Sequence, residues 1–359
     1  MVEFRLLKSD EFDQAAALAD QTFRDDEQIS MGEAFPQVFS PALNQSYGAF
    51  INDKLVSFIG LVPSVIHLES AEIEAYSIGS VCTHRAYRKK GFASMLLEKV
   101  IDHVKRAKAS ILFVSGSLPL YIKAGCTFYG NLNKYDIHKD DLQIPEGYSV
   151  REFLPYDWFY LRKLYQTRKT YFEQSIFDFA VLNNAKGYAS ILKMEHKILV
   201  AEEENEIKGF VVLGVPDTSE GESTSRVIEW AGDPKGIQAV LAESFQYGFT
   251  SMRLSVPEYE RELNRLLYSI EKTEAAFPGT IKITNLDLLL GQLKPYLFGK
   301  LEIVDADERN KKLLFNEKSI IVDNAALEKL ILQGDPTLDS YLNDIFPVPL
   351  PFPEGINYV

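Results

Sequence analysis

The chain has 359 residues and only two cysteines, Cys82 and Cys126. Two thiols cannot build a disulfide framework or supply four ligands to a zinc site. Its longest apolar runs fall far short of the roughly 18 residues that a membrane helix needs. The opening Met1-Val2-Glu3-Phe4-Arg5 lacks the basic head and apolar core of a secretion signal. The expectation from these absences is a reduced, cytoplasmic protein with no membrane partner. The five histidines, His67, His84, His103, His138 and His196, show no metal-type spacing, so no metal is expected. There is no Walker-type phosphate loop and no Ser–His–Asp order. Basic charge is in short supply: 38 Lys and Arg stand against 51 Asp and Glu, a net charge of −13. That sign opposes non-specific nucleic-acid binding and favours cationic small molecules.

What is present is an ordinary globular composition, 46% apolar and 25% charged. The length suits two or three domains. Charge is uneven along it. Residues 1–140 hold 15 basic and 17 acidic side chains, and the remainder 23 and 34. The N-terminal part is therefore the better host for an anionic cofactor.

Periodicity gives a first unit over residues 1–140. Phe4–Leu7 alternates as a strand, and Glu11–Phe23 has an apolar helical face. Residues 24–45 are polar and irregular, a loop or broken helix of the kind that carries substrate contacts. Ser46–Ile51 and Leu55–Val65 flank a turn at Asn52-Asp53 and form a hairpin. Glu72–Cys82 is the next strand, Gly91–Arg106 a strong amphipathic helix, Ser110–Ser115 a buried strand and Pro119–Ala124 a short helix. Residues 126–137 close the unit as a strand pair.

The centre of this order carries chemistry. Arg88-Lys89-Lys90-Gly91-Phe92-Ala93 lies between a strand and a strong helix. A glycine at the helix start lets backbone approach a ligand, and unpaired first-turn N–H groups behind three cations make a nest for a pyrophosphate. The plainer reading is a basic, solvated turn.

Residues 88–93 match the R/Q-x-x-G-x-G/A signature of the GNAT superfamily of N-acetyltransferases. Tyr121-Ile122-Lys123-Ala124-Gly125-Cys126 resembles that family's Y-x-x-x-G-F/C segment about thirty residues on, although Cys126 often stands as phenylalanine there. The resemblance implies a mixed, mostly antiparallel α/β sheet flanked by helices. It implies acetyl-CoA as co-substrate, with the pantetheine arm on the exposed backbone of Val81, Cys82 and Thr83. The pyrophosphate is expected on Arg88, Lys89, Lys90, Gly91, Phe92, Ala93 and Ser94. The reaction implied is acetyl transfer to a primary amine. Tyr121 resembles the family's proton donor to the departing thiolate; otherwise it is a core tyrosine under the cofactor. Glu72 and Glu74 lie on one face of the strand that borders the acceptor groove in many members, so each is a candidate base or else a solvated carboxylate. Cys82 is expected to be a small buried group rather than an acyl carrier.

Residues 145–278 look like a faded copy of the first unit. Tyr148–Phe153, the helix-like Tyr156–Thr170, a hairpin at 198–215, the strand Arg226–Trp230 and the helix Ile237–Tyr247 repeat its order. The basic glycine loop is missing, and Asp233 puts negative charge where a pyrophosphate would need positive groups. This unit is not expected to bind coenzyme A. Residues 280–359 form a small mixed α/β unit. The whole order resembles the enhanced-intracellular-survival (Eis-like) subgroup, with its active domain, degenerate domain and sterol-carrier-like C-terminal domain. In that subgroup the terminal carboxylate reaches the active site, which makes Val359 a further candidate base; the alternative is a tail that only staples the third unit to the first. The favoured acceptor is a cationic amine: a polyamine-like or aminoglycoside-like molecule, or a lysine side chain. The alternative function is a non-catalytic acyl-CoA sensor or interaction protein. A homo-oligomer is compatible with either.

Overall fold

The computed structural model describes residues 2–219 and 221–359. Met1, first in the segment read for a secretion signal, lies outside them. Strand β1 (Val2–Leu6) pairs antiparallel with β2 (Tyr47–Ile51). Between them the helix Phe12–Phe23 buries Phe12, Ala15, Leu18 and Ala19, the apolar positions of its three-and-four spacing. The irregular stretch that follows contains two single-turn helices, Met31–Ala34 and Pro36–Phe39. Asn52 and Asp53 both take positive φ, 48° and 60°, which the tight turn into β3 (Lys54–Leu68) requires. β3 pairs antiparallel with β4 (Ala71–Thr83). The helix Phe92–Arg106 then crosses to β5 (Ile111–Val114), which lies parallel to β4.

The next elements are β6 (Asn131–His138), β7 (Tyr148–Glu152), β8 (Thr170–Phe172), β9 (Glu195–Glu203), β10 (Glu206–Val215), β11 (Thr224–Gly232), β12 (Ser251–Pro257), β13 (Lys272–Ala276) and β14 (Thr280–Ile283). They complete two sheets of seven strands. The first runs β1-β2-β3-β4-β5-β14, with β8 added to β3; the second runs β13-β6-β12-β11-β10-β9-β7. The second sheet repeats the first, with one parallel pair, β11 and β12, bridged by the helix Pro234–Glu243.

Strand membership departs from the sequence reading in three places. The strand expected to close the first unit joins the second sheet, where β6 pairs with β12 and β13. The strand placed at the head of the third unit, β14, joins the first sheet beside β5. The two units thus exchange their closing strands. The helix read over 156–170 ends at Tyr165, and Thr170–Phe172 leaves it to pair with β3. Alternation identifies a strand and its buried face, but it carries no information on which sheet edge the strand joins.

The third unit is an antiparallel sheet of β15 (Glu302–Asp305), β16 (Asn310–Phe315) and β17 (Lys318–Asp323), with helices Leu286–Leu297 and Asn324–Gln333. Leu289 and Leu293 of one helix and Leu330 and Ile331 of the other share one apolar core with Ile73, Ile111 and Phe113 of the first sheet. The chain's last segment then runs across all three units. Val348 N–H bonds Ile331 C=O at 2.9 Å, and Phe352 packs edge-on to Phe277. Glu354 pairs with Arg226 at 2.9 Å, and Asn357 bonds Gln174 and, at 2.9 Å, the Tyr165 hydroxyl. Tyr358 packs between Tyr188 and Phe35, with ring centroids 5.2 and 6.2 Å away. Its many prolines leave few N–H groups unpaired, and its apolar side chains lie in a groove rather than in water.

Candidate active site

The helix Phe92–Arg106 starts at Gly91, whose φ is +80° and which provides no side-chain cap. A β-carbon at Gly91 would meet no atom within 4 Å, so the backbone there faces open space. The first-turn N–H groups of Phe92, Ala93 and Ser94 therefore lie uncapped at the positive end of the helix dipole. Lys89 also takes positive φ, 62°, which curls the loop, and Lys89 and Lys90 are exposed. The Lys90 ammonium stands 5.0 Å over the Tyr87 ring. Arg88 behaves differently from its neighbours: its Nε donates to the Thr83 carbonyl at 3.2 Å and ties the loop to the end of β4. Two exposed lysines thus stand in front of an uncapped helix start.

β4 and β5 pair only over Ala75–Ile78 and Ile111–Val114, then part. On the other edge the β3–β4 register steps from Phe58–Cys82 to Gly60–Gly79, so Ser80 and Val81 face a single residue. This is a bulge, and Ser80 takes φ +52° to make it. Val81 thus shares its place opposite β3 with Ser80, and β5 does not pair with it. Cys82 and Thr83 are less free: the Cys82 carbonyl accepts from Ser57 Oγ at 3.0 Å, and the Thr83 carbonyl accepts from Arg88.

A cavity of about 380 Å³ opens at this parting. Its lining includes Phe35, Ser80, Val81, Ser115, Tyr121 and Val359. Tyr121 sits in the single-turn helix Pro119–Lys123, which Gly125 ends at φ +83°. The ring packs 3.4 Å from where a Gly116 β-carbon would stand. Burial, with Cys126 and Tyr358 nearby, pushes the phenol up to about 12, so it stays protonated and able to donate. Val359 lies against Gly79: a β-carbon there would fall 2.9 Å from the Val359 carboxyl carbon. Gln37 Nε2 holds the neighbouring Tyr358 carbonyl at 3.2 Å. The structure thus brings Val81, Tyr121 and Val359 to one cavity, with the Gly91 turn at the far end of the same strand-and-helix unit.

The two strand glutamates are not brought there. Glu72 is exposed at the other end of β4, with its carboxylate 3.7 Å from His67. Glu74 is also exposed; Gln292 Nε2 lies 3.4 Å from it, and it lines a separate cleft with Glu173 and Asp178. Five residues of strand separate Glu74 from Gly79, about 17 Å at 3.4 Å per residue. Strand alternation told which face they share, not how far along the strand the chemistry lies. Cys82 is buried against the helix Phe12–Phe23, and burial pushes its thiol up to about 12, far from a thiolate nucleophile.

Arg24 and Phe35 come from the 24–45 stretch read as a contact-bearing loop, while Ser80, Ser115 and Gly116 escaped the sequence reading. Gly79-Ser80 inside an otherwise regular strand was the available signal, since a glycine there marks a bulge or a close approach.

The second unit shows what this site looks like when closed. Its equivalent helix begins at Asp233, whose carboxylate accepts from the N–H groups of Lys235 at 2.9 Å and Gly236 at 3.2 Å. The protein's own carboxylate takes the place of an anion. Where β11 and β12 part, Pro351, Phe352, Glu354 and Asn357 of the tail fill the opening, and about 20 Å³ remains. Below them Arg168 is locked between Glu229 at 2.7 Å and Glu260 at 3.6 Å, 4.6 Å over the Trp230 ring.

Residues 3–129 match the model of an acetyltransferase (GNAT) domain. That match covers β1 to β5 and the helices Phe12–Phe23 and Phe92–Arg106, so this stretch is a GNAT acetyltransferase domain. No curated protein matches the chain in sequence. Among solved structures, the chain is similar to a probable N-acyltransferase from Enterococcus faecalis V583, with a TM-score of 0.68 and 14% identity over 91% of this chain and 86% of that one. It is similar to a GCN5-related N-acetyltransferase from Anabaena variabilis, at 0.65 and 14% over 90% and 86%. It is also similar to Eis1 from Mycobacterium abscessus, at 0.61 and 11% over 93% and 90%. At such identities the likeness speaks for the fold, which these proteins share over nearly the full chain.

Proposed function

We propose that the protein transfers an acetyl group from acetyl-CoA to a primary amine. The observation that carries this reading is the single cavity joining the parted strands to Tyr121 and Val359. In this reading the pyrophosphate lies on the Gly91 turn, held by the N–H groups of Phe92, Ala93 and Ser94 and by Lys89 and Lys90. The pantetheine arm pairs with backbone at Val81, which aims the thioester at Tyr121. Holding thioester and amine in one geometry supplies much of the rate, because the acyl group is already activated. The amine nitrogen bonds to the acyl carbon, the carbon–sulfur bond breaks, and the amine's proton leaves. The Val359 carboxylate takes that proton, directly or through water, and Tyr121 donates one to the thiolate. Tyr121 and Val359 then act within one cavity.

The test is thiol release from acetyl-CoA with a panel of primary amines, run beside direct measurement of cofactor binding. Amine-dependent thiol release supports the reading. Tight cofactor binding with no release from any amine would make the protein an acyl-CoA-binding protein instead.

A further inference from the structure

Arg24 follows the last turn of the helix Phe12–Phe23 and lines the same cavity as Tyr121 and Val359. Its guanidinium carbon stands 5.6 Å over the Phe35 ring. Nε and Nη2 are both buried, and neither has a hydrogen-bond partner. Two acids stand near it in sequence, but both are engaged elsewhere. Asp20 accepts from Ser30 Oγ at 2.8 Å and Met31 N–H at 2.6 Å, and Asp25 pairs with Lys193 at 2.6 Å. No carboxylate of the described residues lies within 4.0 Å of the Arg24 guanidinium. Burial weakens the cation's hold on its proton more than these two acids strengthen it. An exposed lysine would serve the end of this helix equally well. An arginine that lines a cavity while two of its guanidinium donors stay buried and unpaired can satisfy them by turning its fork to a planar acceptor in that cavity. Ser80, whose Oγ is also buried and without a partner, lines the same cavity.

We infer that the acceptor is an amine that also bears a carboxylate, such as a free amino acid or an amino-acid-like compound, and that Arg24 binds this carboxylate. The inference rests on the acetyltransferase reading above and narrows it. A guanidinium fork accepts a carboxylate through two parallel N–H···O bonds, which leaves the amine free to reach the thioester beside Tyr121. The same unpaired cation repels an acceptor that carries only ammonium groups, so the acidic balance of the chain does not set the acceptor's charge.

Matched pairs that differ only in the carboxylate test this: lysine against cadaverine, and phenylalanine against phenethylamine. Thiol release is measured with each for the wild type, Arg24→Gln and Arg24→Lys. The expected wild-type preference for the carboxylate member is about ten- to hundredfold in kcat/KM, carried in KM, as for a charge-assisted pair. Arg24→Gln brings the ratio toward one, and Arg24→Lys keeps part of it. A decarboxylated amine used as well as its partner by the wild type, or a ratio unchanged in Arg24→Gln, overturns the inference and leaves the acetyltransferase reading standing. Absence of release with every amine overturns both. Should Arg24→Gln lose its fold, judged by melting temperature and cofactor affinity, the wild-type ratio decides alone.

Discussion

Tyr121 is the residue on which chemistry and packing readings diverge most sharply, because its ring is buried while it lines the cavity. Tyr121→Phe keeps the ring and its contact with the Gly116 backbone and removes only the hydroxyl. The expected result is a drop in kcat of about 10²–10⁴ with cofactor affinity unchanged. Near-normal turnover would return Tyr121 to a packing role. The phenol's raised pKa adds a pH signature. The fold favours its neutral form, a preference fully present below the ordinary tyrosine value of about 10 and lost as pH rises through the folded value of about 12. The donor is thus intact across the neutral and mildly alkaline range, and turnover at saturating acceptor shows no alkaline loss before about pH 10. An alkaline limb near neutrality, absent from Tyr121→Phe, would show a phenol titrating where this environment does not put it.

At the scale of elements, two helices in equivalent places start differently, and on the proposed function the difference decides which sheet holds a cofactor. One begins at a bare glycine with cations ahead of it; the other begins at Asp233, which caps its own N–H groups. Replacing Gly91 by Val tests the first. No neighbour within 4 Å would clash with the new side chain, so the core is untouched. The cost comes from the left-handed backbone, about 1–2 kcal/mol for a residue with a β-carbon, and from bulk placed where phosphate must approach. Coenzyme A affinity measured by titration calorimetry should fall by at least one charge-assisted contact, about 1.5–3 kcal/mol, in a protein that still folds. Unchanged affinity would take the phosphate away from this turn. Both helix starts were legible in the sequence, because glycine, cations and a capping aspartate are local signals that act over one turn. The parting of β4 and β5 was legible only through the family resemblance, and the Ser80 bulge was not read at all. The exchange of β6 and β14 was out of reach for a different reason. Tyr135 and Ile137 declare a buried face, and either sheet would satisfy it. The choice is made by neighbours more than a hundred residues away.

At the scale of the whole molecule, one segment meets every unit. It is tied to the helix Asn324–Gln333 at Val348, fills the parting of the second sheet at Pro351–Asn357, and ends against Gly79 of the first. Gly355 at φ +122° makes the bend that this path needs, since a β-carbon there would stand 2.8 Å from the Glu229 carboxylate. A tail anchored at Glu354 and Asn357 does not depend on its last two residues for its place. Staple and catalyst can therefore be separated. Removing Tyr358 and Val359 leaves the anchors and takes away the carboxylate beside Tyr121. The expected outcome is a loss of thiol release by orders of magnitude with coenzyme A affinity nearly unchanged and a fall in melting temperature limited to the lost packing of Tyr358 on Tyr188 and Phe35. A short extension beyond Val359 does the same by moving the carboxylate away, and Gly79→Ala does it from the strand side by pushing the terminus off its seat. If all three variants instead lose stability and their folded fraction turns over normally, the tail is a staple. The amine's proton then has to leave through water, because the strand glutamates Glu72 and Glu74 stand too far along β4 to receive it.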